Sequence, residues 1–223
     1  RSGAPVTQHN VKSVTEHADG YLIDNKFRAR YLIGAGGTRC PVYRELFRPM
    51  APRSKALQVV AQELEFAFDC ADRNCYLWFF TDGLPGYSWY VPKDDGYVNV
   101  GVGGVASKLK HKGDDIKHHW QKLTERLARQ GLVDVPIGSP GGYSYYLRAK
   151  SDLTRRGNAF VVGDAAGLAT RDMCEGIGPA VQSGLLAARN IWSGAAFDLR
   201  QIDPHTLPAI AHKPLDYALT NNR

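Results

Sequence analysis

The chain has 223 residues, 43% hydrophobic and 22% charged, the balance of a globular protein rather than a disordered or fibrous one. Its 28 Lys and Arg against 22 Asp and Glu leave a formal charge of +6, which attracts anions at long range without identifying one. No apolar run approaches the length of a membrane span, so no transmembrane segment is expected. Cys40, Cys70, Cys75 and Cys174 form neither a Cys-x-x-Cys pair nor a zinc-like spacing, so no metal site is expected either. No secretory signal is visible, and the cysteines are expected as reduced thiols in a cytoplasmic protein.

Residues 4–33 suggest two or three short strands, with Asp19-Gly20 as a hairpin signal. The last of them, in "ARYLIGAGGT", ends in glycines that let another group approach the backbone closely. Residues 55–104 are β-rich: "ALQVVAQELEFAF", "CYLWFF", "GYSWYVP" and "YVNVGVGG" are divided by the turn segments "DGLPG" and "KDDG", a pattern for an antiparallel sheet. From 113 to 131 the period changes. Ile116, Trp120, Leu123 and Leu127 fall on one helical face, with Asp114 as N-cap and Gly131 as stop. His118 and His119 project about 100° apart on such a helix, too divergent to share an ion, and are expected at the surface. "KLKHK" just before them is expected as a solvated charge run. "GGYSYYLRA" predicts a further strand, "GNAFVVGD" a buried one, and "GPAVQSGLLAARNIW" a helix of small residues suited to packing on a sheet. The tail from Gly194 is loosely patterned, with Pro204, Pro208 and Pro214.

Chemistry concentrates at Gly163-Asp164. A strand end that delivers Asp164 toward a helix start can accept hydrogen bonds from ligand hydroxyls. The helix entered near Gly176 to Pro179 would aim its first N–H groups and positive dipole end at an acceptor. A plain Asp N-cap in a tight strand–helix loop accounts for the same spacing, and both readings stay open.

Together the segments are more specific. "YLIGAGGTRCPVYRELF" (31–47) and "GNAFVVGDAAGLATRDMCEGIGPAVQSGLLAA" (157–188) resemble the two later FAD motifs of the glutathione-reductase-type flavoproteins. The resemblance is closest to the branch holding geranylgeranyl reductases, FixC-type dehydrogenases, aromatic hydroxylases and flavin-dependent halogenases. "YSWYVPKDDGYVNVGVG" (87–103) is similar to the substrate-domain motif of the geranylgeranyl reductases, with Tyr87, Trp89, Pro92, Gly101 and Gly103 in register and Val91 where that family has Phe. The resemblance implies an α/β fold plus an antiparallel sheet: a partial FAD-binding domain carrying a substrate sheet. Its expected parts are residues 1–50 and 151–223 for the FAD domain with a C-terminal helix and tail, and 51–150 for the substrate domain. It also implies Asp164 on the flavin ribityl chain, Gly34, Gly36, Gly163, Gly176, Ile177 and Gly178 against the cofactor, and Tyr87, Trp89 and Pro92 as a substrate wall. Two departures stand out. Gly36 replaces the Asp of the family's Gly-Ala-Asp-Gly, and Cys174 replaces the first Gly of Gly-Glu-Gly-Ile, which puts a thiol near the expected flavin, either packed or redox-active.

No Gly-x-Gly-x-x-Gly follows a strand in this sequence, so the part of the family that holds the ADP half of FAD is expected upstream of residue 1. The implied protein is an FAD-dependent oxidoreductase that passes hydride through flavin to a double bond of an apolar, prenyl-type substrate, with NAD(P)H as a candidate reductant. Its partners are then a small apolar molecule and no nucleic acid, with membrane-surface association left open. A halogenase or monooxygenase is the alternative within the enzymes. A non-catalytic module for a hydrophobic or anionic ligand is the alternative outside them.

Overall fold

A computed structural model describes residues 3–149 and 153–220. The chain divides into two compact units, each assembled from separate stretches. Unit 1 takes 1–53, 150–168 and 176–202; unit 2 takes 54–149, 169–175 and 203–223.

Unit 1 holds two small sheets. Strands β1 (Val14–His17), β2 (Gly20–Ile23) and β3 (Phe27–Ala29) form an antiparallel meander. His17 pairs with Gly20, which leaves Ala18 and Asp19 as the hairpin loop. Asp24 and Asn25, both at positive φ, turn the chain from β2 into β3. The second sheet places β11 (Ala159–Val161) between β10 (Arg155–Arg156) and β4 (Leu32–Gly34), antiparallel to the first and parallel to the second. A parallel pair must be covered on both faces, and the alternation along β11 arranges this. Ala159 and Val161 enter a core with Val14, Tyr21, Phe47 and Ile202. Phe160 and Val162 point the other way, packing with Ala187 of the helix that follows. That helix runs Ile177–Ser193 and ends where Gly194 takes the left-handed conformation. Its buried residues, Pro179, Ser183 and Ala187, are small or compact, which brings helix and sheet close.

Unit 2 is built on a five-stranded antiparallel sheet in the order β6 (Tyr76–Phe79), β7 (Gly86–Pro92), β8 (Tyr97–Val105), β5 (Gln58–Ala67), β9 (Gly141–Tyr146). One face is covered by helix α2 (Ile116–Arg129), which follows the short α1 (Ala106–His111). Tyr90, Val98, Val100 and Val102 of the sheet meet Trp120, Leu123 and Leu127 of α2, the apolar stripe expected from the sequence. Numbered in chain order, the helix of unit 1 is α3, and α4 (Ala209–Thr220) closes unit 2 with Leu219 buried. No helix among the described residues is long and apolar enough to cross a membrane.

The α2 terminus differs from expectation in two ways. Asp115, not Asp114, is the N-cap: its extended backbone lets the carboxylate accept from the N–H groups of Lys117 and His118 at 2.8 and 3.0 Å. Asp114 instead faces His119 Nε2 at 3.0 Å, and His119 is buried rather than at the surface. The helix turns so that the histidine one residue before Trp120 also faces inward, while His118 is exposed.

Burial holds the His119 pKa below its ordinary 6.5, although Asp114 pulls it up. The unfolded chain then takes up the proton first as the solution is acidified. This contribution to stability is complete above the ordinary histidine value and declines as pH falls through it. Melting temperature should therefore drop between about pH 7 and 5, and His119→Gln should flatten that part of the profile. An unchanged slope would mean that other groups govern it.

Candidate functional site

One candidate site belongs to unit 1 and follows from the parallel pair. Because β4 and β11 run the same way, both release the chain at the same end, into two 3-10 turns: Gly37–Arg39 and Gly163–Ala165. Ligands of open α/β sheets gather at such carboxyl ends. The glycines there have different tasks. Gly34 is buried, and a Cβ on it would lie 2.8 Å from Val42 Cβ and 2.9 Å from Cys40 Sγ, so internal packing explains it. Gly36 is exposed at the tip, and Gly37, next to it, carries the positive φ. Gly163 has φ +55 and faces the Cβ of Ala180 at 3.0 Å, and its N–H donates to Ser183 Oγ at 3.0 Å. This glycine seats α3 against the turn.

Asp164 lies partly exposed in that turn, and its Oδ1 is 3.2 Å from where a Cβ of Gly176 would stand. The carboxylate thus sits beside the N-terminus of α3. Gly176 is the N-cap and brings no capping side chain. Pro179 falls in the first turn, where a missing N–H costs nothing. Ile177 is 79% exposed, while Gly178 is partly buried. In the neighbouring turn the hydroxyl of Thr38 is buried with no hydrogen-bond partner among the described residues. Arg53 stacks on Tyr43 at 3.6 Å and donates to the carbonyls of Thr38 and Ala165, which fastens the two glycine turns together. A carboxylate, a helix start whose N-cap is a glycine and an unpaired hydroxyl together suit a polar ligand carrying both hydroxyl and anionic groups.

A second candidate site, within unit 2, is the sheet face opposite α2. Directly paired residues share a face, so the register sets out its rows. Phe79, Tyr87, Gly103, Ala61 and Tyr143 stand side by side in one row; Leu77, Trp89, Gly101, Glu63 and Gly141 form the next. Rings on β6, β7 and β9 flank Gly103 and Ala61 in the first row; in the second, Leu77 and Trp89 lie on one side of Gly101 and Glu63 on the other. The ring of Trp89 lies over the glycine floor: a Cβ on Gly101 would come within 2.1 Å of its Cζ2. Its indole N–H donates to Asn99 Oδ1 at 2.6 Å. Tyr87 lies 5.7 Å from Trp89 and 5.1 Å from Phe79 between ring centroids, and Tyr143 stacks on Tyr145 at 6.0 Å. Pro92 does not join them. It pairs with Val98, and the period of two turns it to the α2 side.

Residues 169–175 close one end of this face. Ala169 bridges to Leu147, and Thr170 and Glu175 hydrogen-bond each other to tie the loop. Tyr87 donates its hydroxyl to the carbonyl of Met173 at 2.6 Å. Asp172, fully buried, accepts from the N–H groups of Leu207, Thr206 and Met173. Burial pushes its pKa up, but these donors outweigh it and hold the carboxyl below its ordinary value. Cys174 takes a positive φ of 56° at the turn and packs with Val59, Val105 and Tyr145. Burial, with a smaller contribution from the Asp172 charge, pushes its thiol up to about 12. It is a packed, protonated thiol rather than a reactive one. Sequence reasoning missed Asp172, Asn99 and Tyr143. Asp172 in a turn-rich loop signals an acceptor, but donors more than thirty residues onward leave no local mark.

Two outcomes follow. Gly101→Ala should cost about 1–3 kcal/mol by forcing the Trp89 ring off the floor, and combining it with Trp89→Ala should recover most of that loss. Equal costs in both backgrounds, measured by denaturant unfolding, would show that the ring does not rest there. A thiol-reactive dye at pH 8 should label exposed Cys75 rapidly and leave Cys174 unmodified in the folded protein, which mass spectrometry after brief exposure will show.

No protein-family model matches the chain. Among curated proteins it is similar to digeranylgeranylglycerophospholipid reductase 3 of Methanosphaera stadtmanae, 29% identical over 209 residues that cover 85% of this chain and 49% of that protein. Among solved structures it is similar to a geranylgeranyl bacteriochlorophyll reductase-like protein from Thermoplasma acidophilum, with a TM-score of 0.63 and 17% identity, over 82% of this chain and 49% of that one. The flavin-dependent halogenase CmlS aligns with a TM-score of 0.57 and 18% identity, over 81% of this chain and 35% of that one. The chain therefore spans about half the length of the curated relatives it matches, and it shares the mixed α/β fold with antiparallel sheets of these flavin-enzyme structures.

Proposed function

We propose that the chain is part of an FAD-dependent oxidoreductase of the geranylgeranyl-reductase kind, within the glutathione-reductase-type flavoproteins, acting on an apolar prenyl-type substrate. The observation that carries this reading is the aromatic sheet face of unit 2, floored by Gly101 and Gly103 and closed by residues 169–175. Similarity to a digeranylgeranylglycerophospholipid reductase supports it.

Asp164 would accept from flavin ribityl hydroxyls, and the start of α3 from Gly176 to Gly178 would face the electron-rich edge of the ring system. Gly36 and the Thr38 hydroxyl at the neighbouring turn would contact the same cofactor. The chemistry a bound flavin supplies is hydride transfer to a carbon–carbon double bond. The chain's own residues bind and exclude water. Tyr87 and Trp89 present ring faces to an isoprenoid chain, and Tyr87, fixed on the Met173 carbonyl, ties that wall to the closing loop. Burial raises the Tyr87 hydroxyl well above the ordinary tyrosine range, and Cys174 is likewise held protonated. Neither is poised as an acid or base near neutrality, so both serve as walls. NAD(P)H as reductant belongs to the same proposal. The halogenase-like fold supports a halogenase or monooxygenase equally at the level of architecture, but the Gly-floored aromatic face favours the reductase.

Binding experiments on the protein and two variants test the reading. Asp164→Ala should weaken FAD binding about ten- to a hundred-fold, followed by flavin fluorescence, and leave geranylgeraniol binding unchanged. Trp89→Ala should do the reverse. If Asp164→Ala lowers the melting temperature while FAD affinity stays put, the carboxylate serves only the helix start, a contribution of about 1 kcal/mol.

A further inference from the structure

The rim of the aromatic face carries a polar chain that the binding role of Trp89 does not itself require. Asn99 accepts the Trp89 indole N–H on its Oδ1 at 2.6 Å. An amide whose oxygen is taken has only its NH2 left to offer, and the acceptor on the same face is Glu65, directly paired with Asn99 across β5 and β8. Glu65 is in turn bound by the Lys93 ammonium, from the residue after β7. Lys93, by hydrogen bond and charge, and then the Asn99 amide hold the Glu65 carboxyl below its ordinary value, against a rise from partial burial. Donation thus runs from the indole through Asn99 to Glu65, and the Lys93 ammonium donates to the same carboxylate from its other side. Over Gly101 the ring has no side chain beneath it to lock its rotation, so beyond its contact with Tyr87 its one polar atom fixes its orientation.

We propose that Asn99, backed by Glu65 and Lys93, is a positioning residue that holds the Trp89 indole flat over Gly101 and so sets the surface offered to an apolar chain. The role in ligand binding rests on the function proposed above; the positioning of the ring does not. The amide is needed because it must accept from the indole and donate to a carboxylate at once. A carboxylate at position 99 could do the first and would repel Glu65 in the second.

The test uses the full chain and two readouts: the Trp89 indole N–H resonance, assigned through Trp89→Phe, with its solvent-exchange rate, and geranylgeraniol binding. Asn99→Asp should speed indole exchange and weaken geranylgeraniol about three- to ten-fold. Adding Glu65→Gln to Asn99→Asp should restore both, because a Gln amide can donate to the new carboxylate and reverse the middle link. Glu65→Gln alone should perturb the resonance less than Asn99→Asp. If Asn99→Asp leaves the indole as in the parent, or if the paired substitution restores nothing, the relay is wrong. If instead the resonance behaves as expected while Trp89→Phe and Asn99→Asp both leave geranylgeraniol binding unchanged, the positioning stands and the substrate reading falls.

Discussion

The parallel pairing of β4 with β11 is the constraint on which the candidate cofactor site depends. Each strand has three residues, and neither has independent stability at that length. They are held because β11 is buried on both faces, one by the core around Phe47 and Val14 and the other by α3. Their shared direction puts two glycine turns at one end of the sheet, and Arg53 ties those turns through their carbonyls. Antiparallel pairing would have sent the turns to opposite ends and left Asp164 without the Thr38 hydroxyl as a neighbour.

Unit 2 shows a different economy. Its sheet uses the period of two to separate tasks: Val98, Val100 and Val102 fill the core against α2, while Gly101 and Gly103 between them leave bare backbone on the opposite face. Bare backbone in the middle of a sheet weakens it, and the aromatic rings laid across it offset the loss by burying area of their own. The loop 169–175 is then anchored by a carboxylate, Asp172, that gathers backbone donors from its own turn and from the segment leading to α4. A buried acceptor of this kind is satisfied by geometry and not by an opposite charge.

The elements whose signals are local were legible. The α2 stripe, the strand–glycine–Asp pattern at 160–164 and the glycine stop at 131 all depend on neighbours within a turn or two. The register of β7, β8 and β5 was not, because it requires pairing over distances that leave no periodic trace. That is why Pro92 was grouped with Tyr87 and Trp89: their spacing in the motif is right, but the odd offset turns Pro92 to the other face. The same gap separated Asp114 from Asp115 as the cap, a choice made by one residue's backbone angles, and placed His119 in the core.

Sequence alone determined the chemistry available to this protein: a carboxylate after a buried strand, glycines at turns, aromatic strands, and thiols without metal spacing. These follow from residue type and short-range geometry, which a linear pattern records. Tertiary structure alone decided which of them meet. The register put glycines beneath the Trp89 ring, burial turned Cys174 from a candidate reactive group into packing, and distant backbone donors made Asp172 a structural anchor. Close packing, desolvation and hydrogen-bond donors contributed from afar are properties of the folded neighbourhood, and no stretch of sequence carries them by itself.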